Sequence, residues 1–242
     1  MFSKMFHKIS IVELTRIRML GQVTTIMAAL VLLVAAISYA QKTQASNTAD
    51  FFKNIVGEWI GTCEQSTDGK KADNKYFHAL VKQIDTNTFS TTFDYYRIDK
   101  KTNMPIRIGD TIVTTTIGAD GMAKSKITGK GIMLVNDKPK NQQHELQETL
   151  TLAGSGNLQG QGNGKISVSG MPLGLGKNGK IGSSKSDWSL SNGVLSIRQT
   201  ISAGFKALFF KKTFNVAANY TARRGSNVAS LWAPQSRSAS KS

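Results

Sequence analysis

TFSTTFDYYRIDKKTNMPIRIGDTIVTTTIG, residues 88–118, consists of two runs rich in Thr, Ile, Val, Phe and Tyr, joined by the turn-forming DKKTNMP of residues 99–105. β-Branched and aromatic side chains suit a pleated, half-buried surface, whereas Asp, Asn, Lys and Pro interrupt it. The segment therefore reads as strand, turn, strand. Alternation within the first run sharpens this reading. Phe89, Thr91, Phe93 and Tyr95 fall on one face, and Thr92, Asp94, Tyr96 and Ile98 on the other, as a period of two requires.

The same chemistry repeats in both directions. EWIGTCEQ (58–65) and YFHALVKQID (76–85) precede the segment, and KSKITGKGIML (124–134), HELQETLTLAG (144–154), DWSLSNG (187–193), VLSIRQTIS (194–202) and KKTFNVAANYTARR (211–224) follow it. Turn signals lie between them: DTNT at 85–88, GADG at 118–121, NDKPKN at 136–141 and SNG at 191–193. In VLSIRQTIS, Leu195, Ile197, Gln199 and Ile201 share a face. A wet or partly apolar second face is the pattern of an antiparallel sheet. The absence of a ten-residue helical pattern between runs excludes a parallel α/β sheet. The expectation is an all-β domain of roughly nine or ten strands, a meander that closes into a barrel or folds into a sandwich.

Residues 153–182 hold ten glycines in thirty positions. Glycine inside a strand pattern marks a bulge, a sharp bend or close backbone approach, so a flexible lid or a strongly bent hairpin is expected here. GQGNGK (160–165) has the look of a phosphate loop, but ISVSG follows it where a helix would be needed to supply the dipole.

The most apolar part of the 242-residue chain is VTTIMAALVLLVAAISYA, residues 23–40, preceded by Lys4, Lys8, Arg16 and Arg18 against the single acid Glu13. A basic leader followed by an apolar run and small residues is an export signal, with cleavage expected after Ala40. The alternative is an uncleaved anchor that holds residues 1–22 in the cytoplasm and the domain outside it. The domain is then periplasmic or secreted, or membrane-anchored by residues 23–40. A polar linker (41–49) follows. Asp50 is the expected N-cap of a short helical turn over 51–56, the β domain spans 50–225, and the Ser-, Ala- and Arg-rich stretch 226–242 is expected to be disordered. Cys63 is the only cysteine, so no intramolecular disulfide forms and stability rests on packing.

The chain carries 31 basic and 15 acidic residues, a formal charge of +16. Four of those basic residues and one acid lie in residues 1–40, which leaves 27 against 14, or +13. Such a charge draws anionic partners, among them lipid headgroups and acidic polysaccharide, and it also keeps a protein soluble. The basic residues are scattered, paired only at Lys70–Lys71, Lys100–Lys101, Lys211–Lys212 and Arg223–Arg224, and no nucleic-acid motif accompanies them. Nucleic acid is not an expected partner.

VGEWIGTCE, residues 56–64, carries a family likeness. Gly57, Trp59 and Gly61, on the first strand behind a short helical segment, resemble the GxW opening of lipocalins and other calycins. They also resemble the GxWxGxG opening of nitrobindin-like haem barrels, with Cys63 in place of the third glycine. The resemblance implies an up-and-down calycin-like barrel in which the Trp plugs the closed end and an Arg packs across it. Arg223, in NYTARR, is the position for that Arg, with Arg198 second. No His follows His144, where the haem barrels carry theirs, and no cofactor is expected.

Catalytic groups are sparse. His78 and His144 stand 66 positions apart without metal-ligand spacing, so no metal site is expected. Cys63 has no basic neighbour in sequence, and Glu145 and Glu148, three apart in a strand, face opposite ways. No catalytic residue is assigned. Two functional classes remain. In one, a barrel binds a small, largely apolar ligand, with or without an anionic head, against residues such as Phe93 and Tyr95. In the other, a basic envelope or matrix protein with a solid barrel meets anionic polymer or lipid headgroups through its surface.

Overall fold

A computed structural model of the chain describes residues 47–71, 74–99, 101–135, 138–153, 156–170, 175–207 and 211–231. The leader expected over 1–40, most of the linker and residues 232–242 lie outside these. Among the described residues a helix, α1 (47–55), precedes an all-antiparallel sheet. Its strands are β1 (Gly57–Thr67), β2 (Lys70–Lys71), β3 (Lys75–Gln83), β4 (Thr88–Ile98), β5 (Pro105–Ile117), β6 (Ala123–Val135), β7 (Lys138–Ala153), β8 (Asn157–Val168), β9 (Leu175–Ser191), β10 (Val194–Ala207) and β11 (Lys211–Arg224). Apart from the two-residue β2, which pairs only with the end of β1, each strand follows its neighbour in an up-and-down meander. The last strand returns to the first: β11 pairs with β1 from Trp59↔Arg224 to Thr67↔Val216. Ten strands thus close into a calycin-like barrel, and closure removes the sheet edges that would otherwise be open to pairing.

Local chemistry explains the turns. Asn192–Gly193 and Asp68–Gly69 both adopt left-handed conformations, φ 50° and 73°, 49° and 77°. Paired left-handed residues give the two-residue hairpin turns that match strand twist. Asp85 and Asp99 accept hydrogen bonds from the backbone N–H of Asn87 (2.9 Å) and Lys101 (2.7 Å), which holds both carboxyls below the usual carboxylate range.

The alternation expected in β4 holds: Phe89, Thr91 and Phe93 are buried inside the barrel. In β10, Leu195 and Ile197 are buried, and Gln199 and Ile201 line an interior cavity. The described residues of the glycine-rich stretch are paired strands of the barrel rather than a lid. They form β8 and the start of β9, in register with β7 and β10 apart from local bulges. A side chain at Gly162 or Gly164 would strike the carbonyl oxygen of Gln147 (2.2 Å) or Glu145 (2.0 Å) on the adjacent strand. These glycines let β7 and β8 approach closely on the inner side of the barrel.

Two boundaries differ from expectation. The helix covers 47–55, so Asp50 lies within it and does not cap it. The earlier start has a tertiary cause: Thr48 is fully buried, and its hydroxyl donates to the Gly121 carbonyl at 2.9 Å, anchoring the first turn to the β5–β6 connection. The chain after Gly225 also keeps structure, a 3-10 turn over Val228–Leu231.

α1 plugs one end of the barrel. Phe51, Phe52 and Ile55 enter the core with Trp59, and Phe52 stacks on Phe89 (5.3 Å between centroids) and tilts against Trp188 (6.5 Å). Burying side chains of this size contributes about 1.5–3 kcal/mol each. The Trp59 indole N–H donates to the Ile55 carbonyl at 2.7 Å, tying strand to helix. The cation over Trp59 is Arg224, with its guanidinium carbon 4.3 Å from the ring centroid. Neither Arg223 nor Arg198 occupies that place. Trp59 and Arg224 are direct cross-strand partners, whereas Arg223 stands opposite Ile60 and points outward. Arg224 also donates to the carbonyls of Asn54 (2.6 Å) and Val56, satisfying carbonyls at the C-terminal end of α1, where cations are favoured. Gly57 turns the chain between helix and strand at φ 122°, a backbone conformation that side chains oppose.

Candidate ligand-binding cavity

Away from α1 the barrel is hollow. A cavity of about 160 Å³ lies among inward-facing residues of the strands, room for several waters or a compact ligand. Its two sides differ in chemistry because neighbouring strands place like residues side by side. β11, β1, β3 and β4 are contiguous and contribute Tyr220, Cys63, Gln65, Lys75 and Tyr95 beside the smaller Val216 and Ala218. β6 to β10 face them with Ile127, Leu146, Ile166, Ile181 and Ile201, interrupted by Gln142, His144 and Gln199.

On the polar side, Cys63 stands opposite both Tyr220 and Lys75 in the strand pairing. Tyr220 is the cross-strand partner of Cys63, and its ring centroid lies 6.4 Å from that of Tyr95, so the thiol and the two phenols share one pocket. Burial raises both phenols well above the ordinary tyrosine range and pushes the Cys63 thiol up to about 11, with Lys75 acting in the opposite sense. All three therefore stay neutral at physiological pH and act as hydrogen-bonding groups. Lys75 donates to the Gln65 side-chain oxygen at 2.5 Å, and burial holds its amine below the usual lysine range. His144 is pressed over Gly129, where a side chain would meet the imidazole at 2.5 Å, and burial lowers its affinity for a proton.

A second polar layer lies deeper, toward α1. Glu148 follows Leu146 on the inner face of β7 and is 3% exposed. Ser184 donates to its Oε1 at 3.2 Å, and Gln199, on the cavity wall, reaches Ser184 at 3.5 Å. Its Oε2 has no partner among the described residues. Burial raises the affinity of this carboxyl for a proton, opposed by the hydroxyls of Ser186 and Ser184.

Of the residues singled out in the sequence, Tyr95 lines the cavity. Phe93 lies one layer deeper, stacked on Tyr95 (6.1 Å) and tilted against Phe77 (5.8 Å). Gly57 and Trp59 belong to the closed end, whereas Gly61 lies two residues before Cys63 on β1, packed against Ala222 of β11. His78 faces outward, 3.2 Å from Glu58, and no hydrogen bond joins Cys63 to either histidine among the described residues. The nucleophile–base pair that would make Cys63 reactive is not formed. Among the same residues no group of three metal-ligating side chains converges. Lys75 and Glu148 were missed in sequence. Glu148 was accessible to the period-two argument, since it alternates with Leu146 and Leu150. Lys75 follows a loop, and only the β1–β3 pairing places it beside Cys63.

No protein-family model matches the sequence, and no curated protein does. Among solved structures the chain is similar to Rv2717c from M. tuberculosis, at 8% identity and a TM-score of 0.44 over 74% of this chain and 98% of that one. It is also similar to the S-type phycobiliprotein lyase CPES from Guillardia theta, at 10% identity and a TM-score of 0.46 over 77% and 98%.

Proposed function

We propose that the protein is an exported, calycin-like carrier that encloses a small, largely apolar ligand in the barrel. The observation that carries this reading is the interior cavity with one aliphatic side and one hydrogen-bonding side. Ligand sites are concave and mostly apolar, with a few convergent polar groups that set orientation. Tyr95 and Tyr220 supply such groups, and Ile127, Leu146, Ile166, Ile181 and Ile201 supply the apolar surface. Phe93 supports Tyr95 from below. The domain, residues 47–225 with α1 as its plug, is delivered by the leader at 1–40. Cleavage after Ala40 would give Gln41 as the N-terminal residue of the natural protein, which mass spectrometry reads directly; a retained leader would mark an anchor.

Solvent extraction of protein purified from its natural host, followed by mass spectrometry, should release a stoichiometric small molecule, and the emptied barrel should bind a compact apolar fluorescent probe. If neither occurs, the carrier reading fails. The competing class, a solid basic barrel contacting anionic polymer, predicts binding that vanishes at high ionic strength, where the screening length falls to about 3 Å at 1 M salt. Enclosed apolar binding barely responds to salt.

A further inference from the structure

We propose that Lys75 anchors the acidic head of the ligand and that the ligand class is a compact aliphatic monocarboxylate. This rests on the carrier reading above and makes it chemically specific.

Lys75 opens β3, faces Cys63 across the β1–β3 ladder, and lines the cavity with the Gln65 side chain that accepts its hydrogen bond. An ammonium group carries three donors, and a neutral amide oxygen satisfies only one of them. Among the described residues Lys75 has no carboxylate partner. The contrast with Lys130, the cavity's other lysine, is informative: Lys130 is exposed and 3.7 Å from Asp110. Of the two lysines that line the cavity, Lys75 is the half-buried one, and it has no carboxylate partner among the described residues. A buried unpaired charge is costly, and an anion brought beside it recovers that cost through a charge-assisted hydrogen bond. The depressed proton affinity of the amine agrees with this environment.

The surroundings narrow the anion. Tyr95 and Tyr220 stand on the same side, offering at most one or two further hydroxyl contacts, which suits the two oxygens of a carboxylate better than the three of a phosphate. Opposite them lie the isoleucines of β6, β8, β9 and β10 and Leu146 of β7, which suit an unbranched or lightly branched hydrocarbon. The volume of about 160 Å³ sets the scale of a compact ligand, and octanoate is the probe of that class.

The test is calorimetric titration of the purified protein with octanoate and with 1-octanol, which share a tail and differ in charge. The wild-type protein should bind octanoate about ten- to a hundredfold more tightly than octanol, the range expected for a hydrogen bond to a charged group. Lys75→Met should erase that preference while changing octanol affinity by less than about twofold, and Lys75→Arg should retain it. In the wild-type protein, octanoate affinity should fall as alkaline pH neutralises the amine, while octanol affinity stays flat. This arm needs no variant and stands even if Lys75→Met fails to fold. Equal binding of the two ligands, an unchanged octanoate affinity in Lys75→Met, or a flat octanoate pH profile would overturn the role of Lys75 and leave the carrier reading intact. Binding of neither ligand would overturn both.

Discussion

Arg224 joins three elements at the closed end, and its removal should be measurable. Replacing it with Ala deletes a cation stacked 4.3 Å over Trp59 and two hydrogen bonds to the carbonyls of Asn54 and Val56. Stacking of this kind at an exposed site is worth about 0.5–1 kcal/mol. Each hydrogen bond from the charged donor, discounted for solvent screening, adds about 1 kcal/mol. The expected loss is therefore about 2–3 kcal/mol, or about 5–10 °C in Tm for a domain of this size. Urea denaturation followed by tryptophan fluorescence is the natural assay, since Trp59 and Trp188 are both buried. Arg223→Ala is the matched control. That side chain points outward and makes no hydrogen bond or ion pair among the described residues, so the change should cost less than about 0.5 kcal/mol. Arg224→Lys should fall between the two, because it keeps the charge and loses the planar fork. If Arg223→Ala destabilises as much as Arg224→Ala, or Arg224→Ala costs under about 0.5 kcal/mol, the reasoning about the closed end is wrong.

Other positions give equally direct expectations. Gly61→Ala would place a methyl 2.1 Å from the Thr221 carbonyl oxygen and 2.8 Å from the Ala222 Cα; neither can yield without parting β1 from β11, so a loss above about 3 kcal/mol should appear in the thermal midpoint. Gly69→Ala has nothing within 4 Å and only a φ of 77° to oppose it, so about 1–2 kcal/mol is expected, and a larger loss there than at Gly61 would contradict the packing argument. Glu148 has a folded-state affinity for protons above its ordinary value of 4.5. The folded protein then holds a proton that the unfolded chain releases, so stability falls as pH rises from about 4.5 through the folded value. Glu148→Gln should flatten this fall in a series of denaturation curves, and an unchanged slope would show that Glu148 is not its source. Cys63, with its thiol pushed up to about 11, should react with iodoacetamide at pH 8 about two orders of magnitude more slowly in the native protein than in urea; comparable rates would mean that an activated thiolate exists after all.

The elements differ in how far local sequence could specify them. Inward and outward faces of β4 and β10 were legible because a side-chain period of two is a property of the extended backbone and needs no partner strand. Trp59 and the glycines beside it were legible only through their resemblance to the GxW opening of calycins; the structure supplies a physical reason for the glycines, a turn at φ 122° at Gly57 and a strand contact too close for a Cβ at Gly61. The glycines of β8 meet the same kind of contact, but close approach, a bend and a mobile loop select the same residue, and only the β7–β8 register separates them. The helix start was misplaced because Thr48 is held by a carbonyl 73 positions away. Arg223 and Arg224 are adjacent and chemically identical, so which one covers Trp59 depends on cross-strand register, and a one-residue slip exchanges the faces.

By itself, the sequence determined the all-β class, the antiparallel meander and the faces of its clearest strands. These follow from backbone periodicity and turn preference, which act over a few residues. Tertiary structure alone decided closure through β1 and β11, the choice of Arg224, the regular pairing of the glycine-rich strands and the meeting of Cys63, Lys75, Tyr95 and Tyr220 around one cavity. Those residues are distant in the chain and adjacent only in the ladder. What brings them together is the order and register of strands around a closed sheet.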